Sequence, residues 1–118
     1  MLELAKKNAH VIVASRTPSK ALAVIEEIKA ETKNEKVEFI QLDLLSLASV
    51  TKFVSEFKAK NLPLHLLLNN AGVMACPFAL SEDGYESQFA TNHVSNAIND
   101  LHMKFLLQTK RIKSNGCN

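Results

Sequence analysis

The stretch Leu64-His65-Leu66-Leu67-Leu68-Asn69-Asn70-Ala71-Gly72 decides the fold prediction for this chain. Its first half is a short apolar run, typical of a buried strand, and its second half is a polar turn that ends in glycine. In an open parallel sheet, ligands bind outside the carboxyl ends of the strands. The sequence therefore predicts a buried strand over residues 62–68 that is followed by a ligand-binding corner.

Two earlier apolar runs alternate with helical patterns. The run Val11 to Ala14 predicts a strand that is covered on both faces, and residues 37–42 predict the next strand. A helix is predicted after each strand: the first has Thr17 as its N-cap and Pro18 as its first residue, and the second begins at Ser46. Strands that alternate with helices indicate right-handed β-α-β units and a parallel sheet.

Apolar residues at helical spacing give each predicted helix a face that packs against the sheet. In the two helices between strands, these residues are Leu22, Ile25 and Ile28, and then Leu47, Val50, Phe53, Val54 and Phe57. A last helix is predicted to begin at a cap, either Ser81 or Asp83. Its apolar residues are Phe89, Val94, Ala97, Ile98, Leu101, Phe105 and Leu106. Residues 1–7 have the pattern of a helix end.

Composition limits the function classes. A chain of 118 residues forms one domain at most, and its 47% hydrophobic and 22% charged content fit an ordinary globular protein. The net charge of +2 does not favour nucleic-acid binding, and no apolar stretch approaches the roughly 20 residues of a membrane span. Cys76, Cys117 and the four histidines lack metal-ligand spacing, so no metal site is predicted. A reducing compartment, cytoplasmic by default, is the expectation, although the sequence does not fix one.

Ser15 and Arg16 follow the first strand, at a position that selects between two cofactors in dinucleotide-binding folds. An acidic residue there binds the ribose hydroxyls of NAD, whereas a basic residue accommodates the 2′-phosphate of NADP. The chain has no acid at this strand end, and the guanidinium of Arg16 offers forked donors to a phosphate. The alternative is a solvated arginine in a loop.

Two further polar positions follow strands. Asp43 ends the second strand, where its carboxylate can accept a hydrogen bond from a ligand, cap the next helix or belong to a turn. In the turn 69–72, Gly72 allows a sharp bend and close approach of backbone to a ligand, and asparagine side chains can satisfy freed backbone groups. Taken alone, this turn is equally consistent with an ordinary polar loop.

The residues Asn69 to Val73 and Asp83 to His93 together resemble the signature of the short-chain dehydrogenase/reductase family, in its retinol-dehydrogenase-like branch. The resemblance covers about residues 2–94. It implies hydride transfer between NADP(H) and an alcohol or carbonyl. It also implies that Asn92 is the active-site asparagine, which helps to position a water leading to a catalytic lysine; otherwise a mid-helix asparagine is a surface or packing residue. The implied cofactor-binding residues are Ser15, Arg16, Asp43 (which accepts from the adenine amine), Leu44, Asn70, Ala71 and Gly72.

The chain also departs from the family pattern. The family's first strand and Thr-Gly-x-x-x-Gly-x-Gly loop would precede Met1, and the three glycines of this chain cannot build that loop. The catalytic Ser and the Tyr-x-x-x-Lys pair would follow the last helix, whereas the single tyrosine, Tyr85, is followed four residues on by Phe89. After Asn92 the family continues with small and apolar residues, but Ser95 and Asn96 are polar here.

The expected fold is therefore α/β: a partial doubly wound, Rossmann-like parallel sheet with three strands that alternate with helices, lacking the first strand and the C-terminal half. Residues 1–118 are expected to form a partial dinucleotide-binding domain. Three functional hypotheses follow: a fragment of an NADP-dependent oxidoreductase that is inactive alone, a non-catalytic module that pairs with a full-length homologue or with itself through the last helix, and a non-functional product that does not fold stably. The substrate stays open.

Overall fold

The structure, a computed structural model, describes residues 1–97, and the predicted positions Ile98, Leu101, Phe105 and Leu106 lie outside them. The chain divides into two compact units, residues 1–43 and residues from 44 onward. The elements are α1 (Leu2–Lys6), β1 (Val11–Ser15), α2 (Pro18–Thr32), β2 (Val37–Gln41), α3 (Leu47–Ala59) and a short α4 (Ser87–Phe89) that continues into a π-helical turn (Ala90–Val94).

The first unit contains the sheet. Strands β1 and β2 pair in parallel, in a register that runs from Val11 opposite Val37 to Ser15 opposite Gln41. Both strands begin with β-branched or aromatic residues, which suit a pleated surface covered by helices. Two parallel strands joined by α2 form one β-α-β unit, which confirms the predicted α/β, partial Rossmann-like fold.

A small apolar core lies between this sheet and the helices of the first unit. It consists of Ala5, Val11, Val13, Ala21, Ile25, Ile28 and Val37. The predicted helix face was wrong at one position, because Leu22 is half exposed and Ala21 is buried in its place. Ala21, Ile25 and Ile28 are spaced by four and then three residues, so one narrow stripe of α2 covers the sheet.

Asn34, between α2 and β2, joins separate parts of the first unit. Its side chain is buried, and its amide nitrogen donates to the carbonyl oxygens of Ala5 (3.1 Å) and Ala9 (2.8 Å). Its side-chain oxygen accepts from the Lys36 N–H at 2.9 Å. A buried amide is stable only when its groups are paired, and this one joins the end of α1 to the beginning of β2.

The predicted third strand does not form. Residues 62–72 have no strand structure, and the sheet of the described residues has two strands. A strand requires a hydrogen-bonded neighbour. In the doubly wound order 3-2-1-4-5-6, β1 and β2 take places 2 and 3, and residues 62–68 would take place 4. Among residues 1–97, no segment occupies place 1, which would lie beside place 4, so the segment has no ladder to join.

The second unit contains α3, whose N-cap was predicted correctly and whose predicted apolar face is buried except at Leu47, which is half-buried. The Ser46 hydroxyl accepts from the Ser49 N–H at 3.3 Å, and Val50, Phe53, Val54 and Phe57 are buried.

The predicted caps of the last helix were wrong. Residues Ser81 to Tyr85 form a closed turn, in which the Ser81 N–H donates to the Tyr85 carbonyl oxygen at 2.7 Å, so the helix begins later than predicted. Both carboxylate oxygens of Glu86 cap it, at 3.0 Å from the backbone N–H groups of Gln88 and Phe89. The Phe89 side chain, predicted to be apolar and packed, is half exposed.

Candidate functional site

In the first unit, the residues predicted to bind cofactor lie at the carboxyl edge of the sheet. The Leu42 N–H donates to the Ser15 carbonyl oxygen at 3.0 Å, and the Gln41 side chain donates to the Arg16 carbonyl oxygen at 3.4 Å. These contacts bring the chain after β1 beside the chain after β2, so Ser15, Arg16 and Asp43 share one edge. Such an edge is where open α/β sheets bind ligands.

The segment between β1 and α2 leaves the Arg16 side chain in solvent. Arg16 is exposed, and Thr17 occupies the N-cap position of α2 with Pro18 as the first helical residue, as predicted. The hydroxyl of Thr17 makes no capping hydrogen bond. The backbone N–H of Thr17 donates to the Ser15 hydroxyl at 3.4 Å. The Ser15–Arg16 turn is thus closed by local hydrogen bonds. Within residues 1–43, no partner holds the Arg16 guanidinium in place.

A cavity of about 290 Å³ lies beside this turn, within the first unit. Its lining is mostly apolar, with one hydroxyl and one amine, and consists of Met1, Val13, Ala14, Ser15, Lys20, Ala21 and Val24. Small-molecule sites commonly combine apolar walls with a few polar groups. The cavity therefore adds a second cationic side chain, Lys20, near the turn that carries Arg16.

In the second unit, the side chain of Asn92 holds the turn that contains Asn70, Ala71 and Gly72. Its oxygen accepts from the Val73 N–H at 2.8 Å, and its nitrogen donates to the Val73 carbonyl oxygen at 2.8 Å. This two-way pairing imitates one step of a β-ladder. Residues 70–72 are exposed, and Asn92 holds the residue that follows them, Val73.

Glycine at position 72 is favoured by close approach of a side chain and not by backbone conformation. A Cβ atom at Gly72 would lie 3.3 Å from the Asn92 side-chain oxygen, tighter than ordinary van der Waals contact. The positive φ angles in this part of the chain occur at Ala75 and Gly84 instead. The expectation of a sharp glycine turn at this position therefore gives way to a packing reason.

Asn92 lies in the π-helical turn that follows α4. Its own carbonyl oxygen accepts from the Asn96 side-chain nitrogen at 3.3 Å. Both ends of the Asn92 amide are used on Val73, so within the described residues the side chain acts as a support for the turn. A catalytic role for Asn92 stays a prediction.

The segment Ser81 to Ser95 also fastens the chain after β2, at three backbone positions. The Ser95 hydroxyl donates to the Leu44 carbonyl oxygen at 2.5 Å, and the Glu82 N–H donates to the Leu45 carbonyl oxygen at 3.2 Å. The Leu47 N–H donates to the Asp83 carboxylate at 2.8 Å. Leu44, the predicted cofactor neighbour, is buried.

Sequence reasoning missed Ser95 and assigned Asp83 to the wrong helix. Ser95 appeared only as a polar departure after Asn92, and a serine at such a position gives no sign of which carbonyl it reaches. Asp83 was considered as a cap of the following helix, yet its carboxylate lies at the beginning of α3. A carboxylate there is favoured by the free N–H groups of a helix N-terminus, whichever part of the chain supplies it.

Glu86 is the carboxylate in this segment whose protonation is shifted. Its hydrogen bonds from the Gln88 and Phe89 backbone N–H groups lower the pKa of the Glu86 carboxyl below its usual value. Residues 1–97 contain no group of three His, Cys, Asp or Glu side chains placed to hold a metal ion. Over the same range, no helix is long and apolar enough to cross a membrane.

Comparison with known proteins gives a family. The family model of the short chain dehydrogenases matches residues 1–102. The chain is 52% identical over 93 residues to short-chain dehydrogenase TIC 32 A, chloroplastic, of Brassica napus, which covers 79% of this chain and 29% of that protein. It is 47% identical over 93 residues to the polyprenol dehydrogenase of Homo sapiens, covering 79% of this chain and 28% of the relative. Retinol dehydrogenase 12 of Mus musculus is 42% identical over 94 residues, 80% of this chain and 30% of that protein.

A solved structure has the same fold. The crystal structure of an uncharacterised protein from Mycobacterium paratuberculosis matches with a TM-score of 0.75 and 35% identity, over 89% of this chain and 36% of that one. The chain thus spans about three-tenths of the length of the curated relatives it matches. The two sequence motifs, the β-α-β unit and the match over residues 1–102 lead to one conclusion: the chain belongs to the short-chain dehydrogenase family.

Proposed function

We propose that this chain forms part of the NADP(H) site of an oxidoreductase that interconverts an alcohol and a carbonyl compound. The observation that carries the proposal is the pairing of the Asn92 amide with Val73, at 2.8 Å in both directions. Residues 70–72 come directly before Val73 in the chain and are exposed. Ligand-binding residues need supporting hydrogen bonds that hold them in place, and the bonds from Asn92 to Val73 provide such support next to residues 70–72.

Arg16 supports NADP over NAD. It is exposed at the carboxyl edge of β1, no acidic residue stands at this strand end, and Lys20 lines the neighbouring cavity. Two cations and a serine hydroxyl suit a 2′-phosphate. The residues present fit this end of the cofactor only, because the 118 residues contain no glycine-rich loop for the pyrophosphate.

The relatives supply the proposed substrate class. Among them are a polyprenol dehydrogenase and a retinol dehydrogenase, both named for lipophilic alcohols. We infer that the whole protein to which this sequence corresponds acts on a lipophilic alcohol or its carbonyl product. When bound, NADP(H) would supply the hydride, and the residues of this chain would bind and orient it.

The 118-residue chain alone is proposed to be inactive. Family catalysis uses a serine and a Tyr-x-x-x-Lys pair, and none of these is present at a matching position. General acid–base groups typically contribute about 10²–10⁴-fold each to a rate. Substrate-dependent oxidation of NADPH by the pure chain, measured with a retinoid aldehyde, would overturn this part of the proposal.

Cofactor preference is tested by titrating the chain with NADPH and NADH, followed by cofactor fluorescence. Hydrogen bonds to a charged group contribute about 1.5–3 kcal/mol, so Arg16→Gln is expected to weaken NADPH binding roughly 10-fold or more and leave NADH binding unchanged. Lys52→Gln removes the same charge from an exposed position on α3 and should change neither affinity. Equal binding of both cofactors by the unmodified chain would refute the NADP preference.

A second candidate, a module that binds a full-length homologue or a second copy, is favoured by exposed aromatic side chains near α4. Tyr85 is 42% exposed and Phe89 is 51% exposed, and the Phe89 ring stacks on His93 with ring centroids 5.4 Å apart. Exposed aromatic groups are common at protein interfaces. Mixing the chain with a full-length family member and measuring the mass of the complex tests this; a Phe89→Ser variant that binds equally well would argue against it.

A further inference from the structure

Ser95 is the most buried polar residue among residues 1–97, with 1% of its surface exposed. Its hydroxyl donates to the carbonyl oxygen of Leu44 at 2.5 Å. Breaking a buried hydrogen bond leaves its donor and its acceptor without a water or protein partner, which costs free energy. A buried hydroxyl therefore strongly favours the one conformation in which its hydrogen bond forms. This contact therefore fixes where the Leu44 backbone lies relative to the helical turn that carries Ser95.

The same turn reaches a second place in the unit. Asn92, three residues before Ser95, pairs with the Val73 backbone. Ser95 and Asn92 are thus one turn apart on a helical segment, and each holds a different loop. One helical segment thus contacts both the Leu44 corner and Val73, and two further hydrogen bonds, made by Glu82 and Asp83, hold the residues just after Leu44.

We propose that Ser95 is a positioning residue for the cofactor, acting through Leu44. This rests on the proposed function, in which residues 70–72 contact NADP(H), and adds Leu44, which the family resemblance assigns to the same site. A helical segment bonded to both Leu44 and Val73 would keep these two parts of the proposed site at one separation. Preorganisation of this kind strengthens ligand binding because less ordering remains to be done when the ligand arrives.

The test compares Ser95→Ala with Ser55→Ala. The Ser55 hydroxyl also donates to a backbone carbonyl oxygen, that of Thr51 at 3.0 Å, but on the exposed face of α3. Ser55→Ala therefore removes the same atoms and the same type of hydrogen bond away from the proposed cofactor site. Dissociation constants for NADPH and for adenosine 2′,5′-bisphosphate are measured well below each variant's unfolding temperature. Since one hydrogen bond contributes about 0.5–1.5 kcal/mol, Ser95→Ala should weaken both ligands roughly 2- to 10-fold, and Ser55→Ala neither.

A second readout needs no ligand. Exchange of the Leu47 amide hydrogen should speed up in Ser95→Ala and stay unchanged in Ser55→Ala, because loss of the Leu44 contact loosens the corner that includes Leu47.

The outcomes separate the two proposals. If the unmodified chain binds NADPH and Ser95→Ala binds it equally well, with only a lower unfolding temperature, the positioning role is wrong and the hydrogen bond is merely structural. Unchanged exchange at Leu47 overturns the role as well. If the unmodified chain binds neither NADPH nor the bisphosphate, the proposed function is wrong, and the positioning role of Ser95 is wrong with it, whatever the exchange data show.

Discussion

Replacing Asn92 with alanine should release the turn at residues 70–73 without unfolding the unit. The substitution removes both hydrogen bonds between the Asn92 amide and Val73, each 2.8 Å long. A typical intramolecular hydrogen bond contributes about 0.5–1.5 kcal/mol, and both partners here are at least partly exposed, so water replaces part of the loss. We expect a local cost of about 1–2 kcal/mol, which is roughly a 5- to 30-fold increase in the open state.

The assay is amide hydrogen exchange measured residue by residue. The Val73 N–H should exchange roughly 5- to 30-fold faster in Asn92→Ala, because its only acceptor in the described residues is the Asn92 oxygen. The Val50 N–H, which donates to the carbonyl oxygen of the N-cap residue Ser46 at 3.1 Å, is the internal reference and should not change. Asn92→Asp keeps an acceptor for the Val73 N–H but sets a carboxylate oxygen against the Val73 carbonyl oxygen, so it should retain only part of the protection. Equal exchange of Val73 in the unmodified chain and in Asn92→Ala would refute the role given to Asn92.

Gly72 provides a second, independent check of the same contact. Its missing Cβ would stand 3.3 Å from the Asn92 oxygen, so Gly72→Ala should displace that oxygen and speed up Val73 exchange by itself. In the Asn92→Ala background there is no oxygen to displace, and the added methyl group should have little effect. Groups in contact give non-additive double-mutant cycles, so additive effects of the two substitutions would contradict the geometry.

Two other expectations concern stability. Lys33 ends α2 in the left-handed conformation, at φ 58°, where glycine is favoured. Lys33→Gly should therefore raise the free energy of unfolding by about 1 kcal/mol in denaturant titrations. Lys60→Gly, at φ −73° after α3, should not raise it. Glu86 has a lowered pKa in the folded chain, so its capping contribution is present above its usual pKa of 4.5 and is lost as the pH falls through the folded value. Glu86→Gln should flatten the acid limb of the stability curve, and Glu27→Gln on the exposed face of α2 should leave it unchanged.

Local rules in the sequence were sufficient for the first unit. Val11 to Ser15 and Val37 to Gln41 carry strand-forming residues, and Pro18 sets the start of α2, so each element has its own signal. The mistake at Leu22 is of a different kind. Leu22 and Ala21 are adjacent, and which of them faces the sheet depends on the rotation of the helix about its axis. Periodicity leaves that rotation uncertain by one residue when a small residue stands beside a large one.

The segment 62–68 shows the limit of an apolar run as a signal. Its leucines predict a buried strand, but a strand is a property of two chain segments, and the ladder depends on what lies alongside. Leu66 and Leu68 are 58% and 63% exposed, so the apolar run is present while the burial that normally accompanies it is not. The residue types of this segment are those of a buried strand, as predicted. The strand does not form because residues 1–97 contain no neighbouring strand with which it could pair.

The motif Asp83 to His93 was recognised by resemblance, and in the structure three of its polar residues make separate contacts. Asp83 satisfies a free N–H at the beginning of α3, Glu86 caps the helix that follows, and Asn92 pairs with Val73. These contacts reach parts of the chain that are 36, 2 and 19 residues away. Only the shortest of them can be predicted by a local capping rule. The two long-range contacts form only in the folded unit. The motif can therefore be identified from the sequence, whereas the hydrogen-bond partners of Asp83 and Asn92 can be identified only from the structure.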